Sequence, residues 1–276
     1  MWGKYLAGTA ELYEELGGDV NQLLAETGCP GQILYGTSEL IPYSYGGYLL
    51  EVAARQLGRA DFALRLAEKR REIGYAREAV LYGRVAKTFE QAIKGIQNHL
   101  RGRSLGVYYS LETWPNVSSF SRLLDGQEST RYPQGNILFF ASLHNMLKEV
   151  TDNKWQPSSL SFTFKDADNN VSLRNYFGCS IQFNAEQDAI FFPSQFLNFE
   201  LPARDDNAHA LLSEYLTSLH LEDKPDFREM VKTMIQKNLL LGRSDIEALA
   251  LRLPHTTRTI QRKLQKVGSS YSEILN

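Results

Sequence analysis

The spacing of apolar residues along this 276-residue chain changes near residue 102. Before that point, apolar side chains recur at intervals of three and four, as on one face of a helix. The helices predicted in this part are 21–26, 44–57, 62–71 and 88–99. Gly28 and Pro30 close the first of them, because both residue types end helices. The first hundred residues are therefore predicted to be helical.

Beyond residue 102 the apolar period is two, which is typical of half-buried strands. The predicted strands are 105–112, 117–124, 160–165, 181–183 and 189–192. Residues 114–116 form the predicted turn of a first hairpin, and residues 184–187 that of a second. Further helices are predicted over 134–150 and 208–219. This order of elements predicts an α+β body with a mainly antiparallel sheet.

The last fifty residues return to a helical pattern. A first helix is predicted over 227–241 and ends at Gly242. Ser244 begins the second helix, and Glu247 three positions later completes a capping box. The predicted buried residues of this second helix are Ile246, Leu249, Ala250 and Leu253. A turn at 253–255 then leads to a third helix, so an all-α helix-turn-helix segment is predicted to follow the body.

The third helix carries two opposed stripes. Thr256 is its predicted N-cap. Its apolar positions at helical spacing are Ile260, Leu264 and Val267. The polar positions on the opposite face are Arg258, Gln261, Arg262 and Gln265. In the major groove of DNA, Arg pairs with guanine and Gln with adenine. The pattern therefore predicts a transcription factor.

Net charge separates this segment from the body. Residues 226–276 carry nine Lys or Arg and five Asp or Glu, a net charge of +4, whereas the whole chain is −2 and residues 1–225 are therefore −6. The basic residues between 248 and 272, a stretch without acids, are Arg252, Arg258, Arg262, Lys263 and Lys266. A basic tip on an acidic body is typical of a DNA-binding regulator. A solvated basic helix is the alternative that charge alone leaves open.

Two groups of residues carry a family pattern. The first is the run Thr256-Thr257-Arg258-Thr259-Ile260-Gln261-Arg262-Lys263-Leu264, followed by Gly268 and Tyr271. With it, the segment 253–275 resembles the first helix-turn-helix of the AraC family of transcriptional regulators. The second group is Trp155-Gln156-Pro157, Tyr176-Phe177-Gly178-Cys179, Phe183, Asp188 to Phe191, Phe196-Leu197 and Leu201-Pro202. With it, the body resembles the arabinose-binding-type N-terminal domain of one branch of that family, so that the resemblance covers nearly the whole chain.

The resemblance assigns DNA contacts to particular residues. The groove-facing positions of the family fall on Thr257, Arg258, Gln261 and Arg262. Among these, Gln261 and Arg262 are expected to reach the bases. Thr256, Lys263 and Lys266 flank that face at angles suited to phosphate contacts. Ordinary surface lysines are the alternative for the last two.

The resemblance also implies an organisation into parts. Residues 1–220 are expected to form an effector-binding and dimerisation domain, 221–226 a linker, and 227–276 the first helix-turn-helix. The expected partners are double-stranded DNA, a small-molecule effector, a second copy in a homodimer, and RNA polymerase if the protein is an activator, with no cofactor. Family members carry a second helix-turn-helix, which we expect to be absent from this chain. The alternative function is a small-molecule-binding protein that has lost DNA binding with that unit.

The sequence offers no pattern for catalysis or metal binding. Cys29 and Cys179 lie 150 positions apart without a CxxC neighbour, which indicates a reducing compartment and no disulfide. The five histidines have no metal-ligand spacing, and no enzyme is expected. Apolar runs stay below eighteen residues and no leader is evident, so a cytoplasmic protein without membrane contact is expected.

The sequence alone does not identify the effector-binding residues. Trp114 and Tyr108 either line a pocket or belong to the aromatic core. Arg174 and Arg204 either hold an acidic ligand or form surface salt bridges. His144 is expected to be a core residue, because it shares a helix face with apolar neighbours.

Overall fold

The computed structural model describes a defined part of the chain. The described residues are 3–36, 43–72, 80, 81, 83, 85–101, 107–124, 128–166, 171–202, 228, 231, 232, 235, 246–252 and 257–275. The helix predicted over 208–219 and the linker predicted over 221–226 lie outside them. Within these ranges, no helix is both long and apolar enough to span a membrane.

Helices dominate the described part of the first hundred residues. They are α1 (Thr9–Glu15), α2 (Val20–Thr27), α3 (Tyr43–Gln56), α4 (Phe62–Glu72) and α5 (Phe89–Arg101). The Asp19 side chain caps α2 by accepting a hydrogen bond from the backbone N–H of Asn21 at 2.8 Å. Gly28 ends the helix with a φ of +64°, which glycine adopts without steric cost. The four helices predicted in this part are confirmed to within two residues at each end.

A five-stranded sheet follows. Its strands are β1 (Val107–Thr113), β2 (Val117–Leu124), β3 (Ser159–Ser161), β4 (Ser180–Gln182) and β5 (Asp188–Pro193). The order across the sheet is β1-β2-β5-β3-β4, and all neighbours are antiparallel except β3 and β4. The predicted α+β class and the mainly antiparallel sheet are confirmed.

The sheet packs on the helices through an aromatic core. The helices between the strands are α6 (Glu128–Arg131), α7 (Pro133–Val150) and α8 (Val171–Phe177). On one side α7 packs against α3 and α4. On its other side the ring of Phe139 lies 5.4 Å from that of Tyr109 on β1. The ring centres of Phe89 on α5 and Phe192 on β5 lie 5.5 Å apart. One face of the sheet is therefore covered by α5 and α7.

Two details of the sheet differ from the prediction. The strand predicted over 160–165 ends at Ser161, and beyond it the side chain of Asp188 on β5 takes the place of a backbone partner for Thr163. Its carboxylate accepts from the backbone N–H and the hydroxyl of Thr163, at 2.8 and 3.1 Å. The hairpin predicted across 184–187 is wrong as well. The crossover through α8 returns β4 parallel to β3, so β5 pairs with β2 and β3 and not with β4.

A charged pair lies in the core beneath the sheet. Arg122 on β2 and Asp188 on β5 are register partners, and they are only 4% and 1% exposed. The Arg122 guanidinium donates to the Tyr43 hydroxyl and lies 4.6 Å from the centre of the Phe139 ring. Asp188 also accepts a hydrogen bond from the Asn136 side chain at 3.1 Å. These contacts make the two charges tolerable, because buried charges are costly unless they are paired and hydrogen-bonded.

The C-terminal helices form a second, smaller core. They are α9 (Ile246–Arg252), α10 (Thr257–Lys266) and α11 (Tyr271–Leu275). The buried residues of this core are Val231, Ile235, Leu249, Ile260, Leu264 and, from β2, Leu123. Tyr108 of β1 packs against the same cluster. Because side chains alternate along a strand, Tyr108 and Leu123 lie on the face of the sheet opposite α7. The C-terminal unit is therefore docked on that second face.

Candidate nucleic-acid interface

The described part of the predicted helix-turn-helix consists mainly of α9 and α10. Val231 and Ile235 of the preceding segment are helical and share their core. The predicted cap and turn residues, namely Ser244, 253–255 and Thr256, lie outside the described residues. The third predicted helix is present as α10, which begins at Thr257.

The surface of α10 is divided into an apolar and a polar face. Ile260 and Leu264 are fully buried, as predicted. The exposed residues of the opposite face are Arg258, Gln261, Arg262 and Gln265. Thr257 is half-buried at the start of the helix. The side chains with base-reading chemistry are thus open to solvent on a helix that is anchored from behind.

Val267 does not belong to the buried stripe in which it was predicted, since it is 42% exposed. The helix ends one residue earlier, and Gly268 takes a φ of +71°. The N–H of Ser269 donates to the Leu264 carbonyl and the N–H of Gly268 to the Gln265 carbonyl, both at 3.0 Å, which is the Schellman pattern. Because the chain leaves the helical path there, Val267 turns away from the core.

A capping box begins α11. The Ser270 hydroxyl accepts a hydrogen bond from the Glu273 N–H, and the Glu273 carboxylate accepts one from the Ser270 N–H, both at 3.2 Å. Arg228 donates to the Ser269 hydroxyl at 3.3 Å and so ties the preceding helical segment to this turn. The spacing of Ser270 and Glu273 is the sequence signal for this cap, which the pattern of apolar residues alone does not reveal.

Two residues predicted to contact phosphate, Lys263 and Lys266, face a carboxylate of the body. Lys263 Nζ lies 3.1 Å from Oε1 of Glu112 on β1, and Lys266 Nζ lies 3.7 Å from its Oε2. The Lys263 and Glu112 side chains are 11% and 9% exposed, whereas Lys266 is 54% exposed. Lys266 Nζ also lies 6.0 Å from the centre of the Trp114 ring. In this arrangement Lys263 is not an ordinary surface lysine, because its ammonium group is largely buried against Glu112.

Burial and charge act in opposite directions on this carboxylate. Burial alone would raise the pKa of Glu112, but Lys263, Lys266 and Arg262 together hold that pKa below its ordinary value. Burial lowers the pKa of Lys263, and the attraction of Glu112 offsets this only in part. Glu112 is therefore an anion at neutral pH, held among three cations of α10.

Glu112 is the residue of this interface that sequence reasoning missed. In the alternating pattern of β1 it falls on the polar face, together with Ser110, and such a face is expected to meet solvent. It is buried because that face meets α10. The contact joins residues far apart in the sequence, and no local signal marks it.

His144 occupies the core position expected for it. It is 2% exposed, and its ring lies among those of Trp155, Tyr176 and Phe177 at 5.4 to 5.9 Å. Burial, helped by the charge of Lys148, lowers the pKa of His144 to about 4. The imidazole is therefore neutral at physiological pH.

The other residues considered as effector contacts have neighbours within the fold. Arg174 pairs with Asp166 at 3.1 Å, which favours the salt-bridge interpretation. Tyr108 packs on the C-terminal cluster, and Trp114 is half-buried beside Lys266. Arg204 lies outside the described residues. Among the residues that the structure describes, no group of three or more His, Cys, Asp or Glu side chains could hold a metal ion.

An α+β body, followed by C-terminal helices that expose arginine and glutamine side chains, is typical of transcriptional regulators. The family model for the arabinose-binding domain of AraC transcription regulators, N-terminal, matches residues 17–201. This chain therefore belongs to the AraC family of transcription regulators.

Individual proteins resemble the chain over most of its length. The HTH-type transcriptional regulator VirS of Mycobacterium tuberculosis, in strains CDC 1551 / Oshkosh and ATCC 25618 / H37Rv, is 24% identical over 268 residues. This alignment covers 95% of the chain and 78% of VirS. The crystal structure of transcriptional regulator CdpR from Pseudomonas aeruginosa matches with 17% identity and a TM-score of 0.49, covering 92% of this chain and 80% of that one.

Proposed function

We propose that this regulator binds double-stranded DNA through α10 and that a small-molecule effector in the body controls the binding. Residues 1–220 form the effector-binding and dimerisation domain in this proposal, 221–226 the linker and 227–276 the DNA-reading unit. The protein acts as a homodimer, and it contacts RNA polymerase if it activates transcription. Family membership supports each of these parts.

The two-faced character of α10 is the observation that carries the DNA-binding part. Ile260 and Leu264 hold the helix against the rest of its unit, which leaves the opposite face free. An α-helix with its side chains is about 10–12 Å across and fits a major groove about 12 Å wide. The residues proposed to face the bases are Thr257, Arg258, Gln261 and Arg262. Thr256, Lys263 and Lys266 are proposed to contact phosphates along the flanks.

Arg262 provides the test of this part. Duplexes are first selected from a random-sequence library by the wild-type chain. On the selected duplex, Arg262→Ala should cost about 1–3 kcal/mol and relax the preference at one base pair, because Arg forms a bidentate contact with guanine. Titrations on duplexes with single base-pair changes measure both effects.

The matched control is Arg55→Ala, which removes the same charge from an exposed position on α3. It should leave both the affinity and the base preference unchanged. If Arg262→Ala retained the wild-type preference at every base pair, the proposal that Arg262 reads a base would be contradicted. If neither variant nor wild type selected any duplex, the alternative function without DNA binding would gain support.

The effector part rests on the match to a domain named for arabinose, a small molecule. Linkage requires that an effector which changes DNA affinity binds differently to the free and the DNA-bound protein. A thermal-shift screen of metabolites tests this, because a ligand at 100 times its dissociation constant stabilises the folded chain by about 2.7 kcal/mol. Effector control is contradicted if no stabilising compound alters the affinity for the selected duplex.

A further inference from the structure

We propose that Arg122 binds the carboxylate group of a small-molecule ligand, on the face of the sheet that packs against α3 and α7. The ligand class is an organic acid whose carboxylate is carried by an apolar or aromatic body. This inference makes Arg122 the anchor of the effector, and in that role it rests on the effector control proposed above.

Arg122 lies at the centre of a polar row that crosses the sheet. Its register partners are Tyr109 on β1 and Asp188 on β5. From the helices, the Tyr43 hydroxyl of α3 accepts a hydrogen bond from the guanidinium, and the centre of the Phe139 ring on α7 lies 4.6 Å from it. A buried cation between aromatic rings suits a small-molecule site, in which a few polar groups fix the orientation of the ligand among apolar walls.

The guanidinium has a donor that the described residues leave unused. Arg122 is only 4% exposed, and its buried Nε has no hydrogen-bond partner within the part of the chain that the structure describes. Buried N–H groups almost always have an acceptor, because they have given up their hydrogen bonds to water. Nε and Nη2 form the edge of the guanidinium that a carboxylate binds through two parallel hydrogen bonds. On this edge Nη2 donates to Tyr43, and Nε is left for an acceptor from outside the described fold.

The Asp188 carboxylate uses both of its oxygens for other donors. Oδ1 accepts from the backbone N–H and the hydroxyl of Thr163, and Oδ2 accepts from the Asn136 side chain. Burial lowers the pKa of Arg122, whereas the two neighbouring tyrosines and then Asp188 raise it, so that this pKa lies above its ordinary value. Arg122 is therefore a permanent cation to which no carboxylate of the described residues is hydrogen-bonded. An organic acid would supply that carboxylate.

A ligand would reach Arg122 past the side chain of Tyr43. Tyr43 is half-buried and is the first residue of α3, whereas Phe139 on α7 is buried. The Tyr43 hydroxyl lies against the first turn of α7, because a Cβ at Gly135 would come within 2.5 Å of it. Glycine at this position thus brings the hydroxyl, and with it the guanidinium, close to the N-terminus of an 18-residue helix. The partial positive charge of that helix end also favours an anion.

The test measures ligand binding to the full chain in the absence of DNA. The probes are benzoate, phenylacetate and hydrocinnamate, three acids with an aromatic body, each compared with its uncharged amide. We expect at least one acid to raise the melting temperature and its amide to raise it much less, because a hydrogen bond between two charged groups is roughly twice as strong as a neutral one. If none of the three acids raised the melting temperature, the proposal would be overturned. A rise with inorganic phosphate alone would overturn the proposed ligand class.

The substitution Arg122→Gln assigns the binding to this guanidinium. It removes the charge and keeps a polar side chain. In calorimetric titrations with the stabilising acid, the affinity should fall about tenfold or more, the usual contribution of a hydrogen bond to a charged group. The matched control is Arg55→Gln, at an exposed position of α3, which should bind the acid as wild type does. Equal affinities of Arg122→Gln and wild type would refute the site.

Tyr43→Phe examines the same edge of the guanidinium and serves if Arg122→Gln does not fold. It keeps the ring beside Arg122 and removes the hydroxyl to which Nη2 donates. With both donors of the edge available, the acid can form two parallel hydrogen bonds, and we expect its affinity to rise about tenfold. Tyr48→Phe, at an exposed position of the same helix, should leave the affinity unchanged. A purely structural contact between Arg122 and Tyr43 predicts lower stability without a gain of affinity, and that result would contradict the proposal.

The outcomes separate this inference from the function on which it rests. If an acid binds through Arg122 but leaves the affinity for the selected duplex unchanged, the site stands and effector control by that acid is contradicted. If no acid binds while another compound changes the affinity for the duplex, the site is refuted and effector control stands. Circular dichroism of each variant establishes that the compared chains are folded.

Discussion

Glu51 on α3 is a carboxylate that the fold keeps largely away from water. Its Oε1 accepts a hydrogen bond from the backbone N–H of Gln134, the second residue of α7, at 2.6 Å. Burial raises the pKa of Glu51 to about 7, although the hydrogen bond acts in the opposite direction. Because the folded pKa lies above the ordinary value of 4.5, the folded chain binds a proton more tightly than the unfolded chain does.

The free energy of unfolding should therefore decrease as the pH rises from about 4.5 to about 7, because Glu51 loses its proton over this range. Glu51→Gln keeps a hydrogen-bond acceptor and removes the charge. We expect it to stabilise the chain by roughly 1–3 kcal/mol above pH 7 and to have little effect near pH 4. Urea unfolding at a series of pH values measures the difference. The control is Glu14→Gln, at an exposed position of α1, whose free energy of unfolding should vary with pH as that of the wild type does. If the free energy of unfolding of Glu51→Gln varied with pH in the same way, the assignment to Glu51 would be contradicted.

At the scale of elements, α10 depends on few anchoring side chains. Leu264 is fully buried, whereas Val267 three residues later is 42% exposed beyond the end of the helix. Leu264→Ala should cost about 2–5 kcal/mol in the C-terminal unit, the usual effect of truncating a buried aliphatic side chain. Val267→Ala should change stability by less than about 0.5 kcal/mol.

Hydrogen exchange resolved along the chain provides the measurement. In Leu264→Ala, amides of α9 and α10 should exchange faster while those of α7 and the sheet keep their protection. If Val267→Ala had the larger effect, the sequence-based placement of Val267 in the buried stripe would be right and the observed end of the helix wrong.

The helices were predictable from the sequence, whereas the pairing of the strands was not. The period of α3 or α5 is a local property, readable from a dozen neighbouring residues. A period of two identifies Ile181 and Ile190 as strand residues, but it does not tell which strands are neighbours. That choice depends on the crossover through α8, which makes β4 parallel to β3 and leaves β5 to pair with β2 and β3. Short strands such as β4 carry too few residues to encode their partner.

The whole molecule joins two units through one face of the sheet. Leu123 and Leu124 are adjacent on β2, but Leu123 belongs to the C-terminal cluster and Leu124 to the core of the body. Leu123→Ala should loosen the docking of the C-terminal unit and leave the body protected. Leu124→Ala should destabilise the body itself by about 2–5 kcal/mol.

Hydrogen exchange distinguishes the two substitutions, because each alters a different set of amides. Faster exchange in α9 and α10 is expected for Leu123→Ala, and faster exchange in α7 and β5 for Leu124→Ala. The same exchange pattern in both variants would contradict the division of the two cores across β2.

The candidate interface divides in the same way into predictable and unpredictable parts. The burial of Ile260 and Leu264 and the exposure of Arg262 follow from the spacing within a single helix. The pairing of Lys263 with Glu112 arises only when α10 lies on the sheet, so the sequence gives no local sign of it. For this reason a phosphate contact was predicted where the docked structure has a protein carboxylate.

The position of β2 has a consequence for the chain as it is synthesised. β2 pairs with β1 at once through a short turn, but its other neighbour β5 begins at Asp188, 64 positions after Leu124. At about 5–20 residues per second, the ribosome supplies that neighbour roughly 3–13 s later. An apolar edge left unpaired for so long would recruit other nascent chains. The polar residues along this edge are Ser118, Ser119, Ser121 and Arg122. We expect them to keep this edge hydrated until β5 is synthesised and pairs with β2.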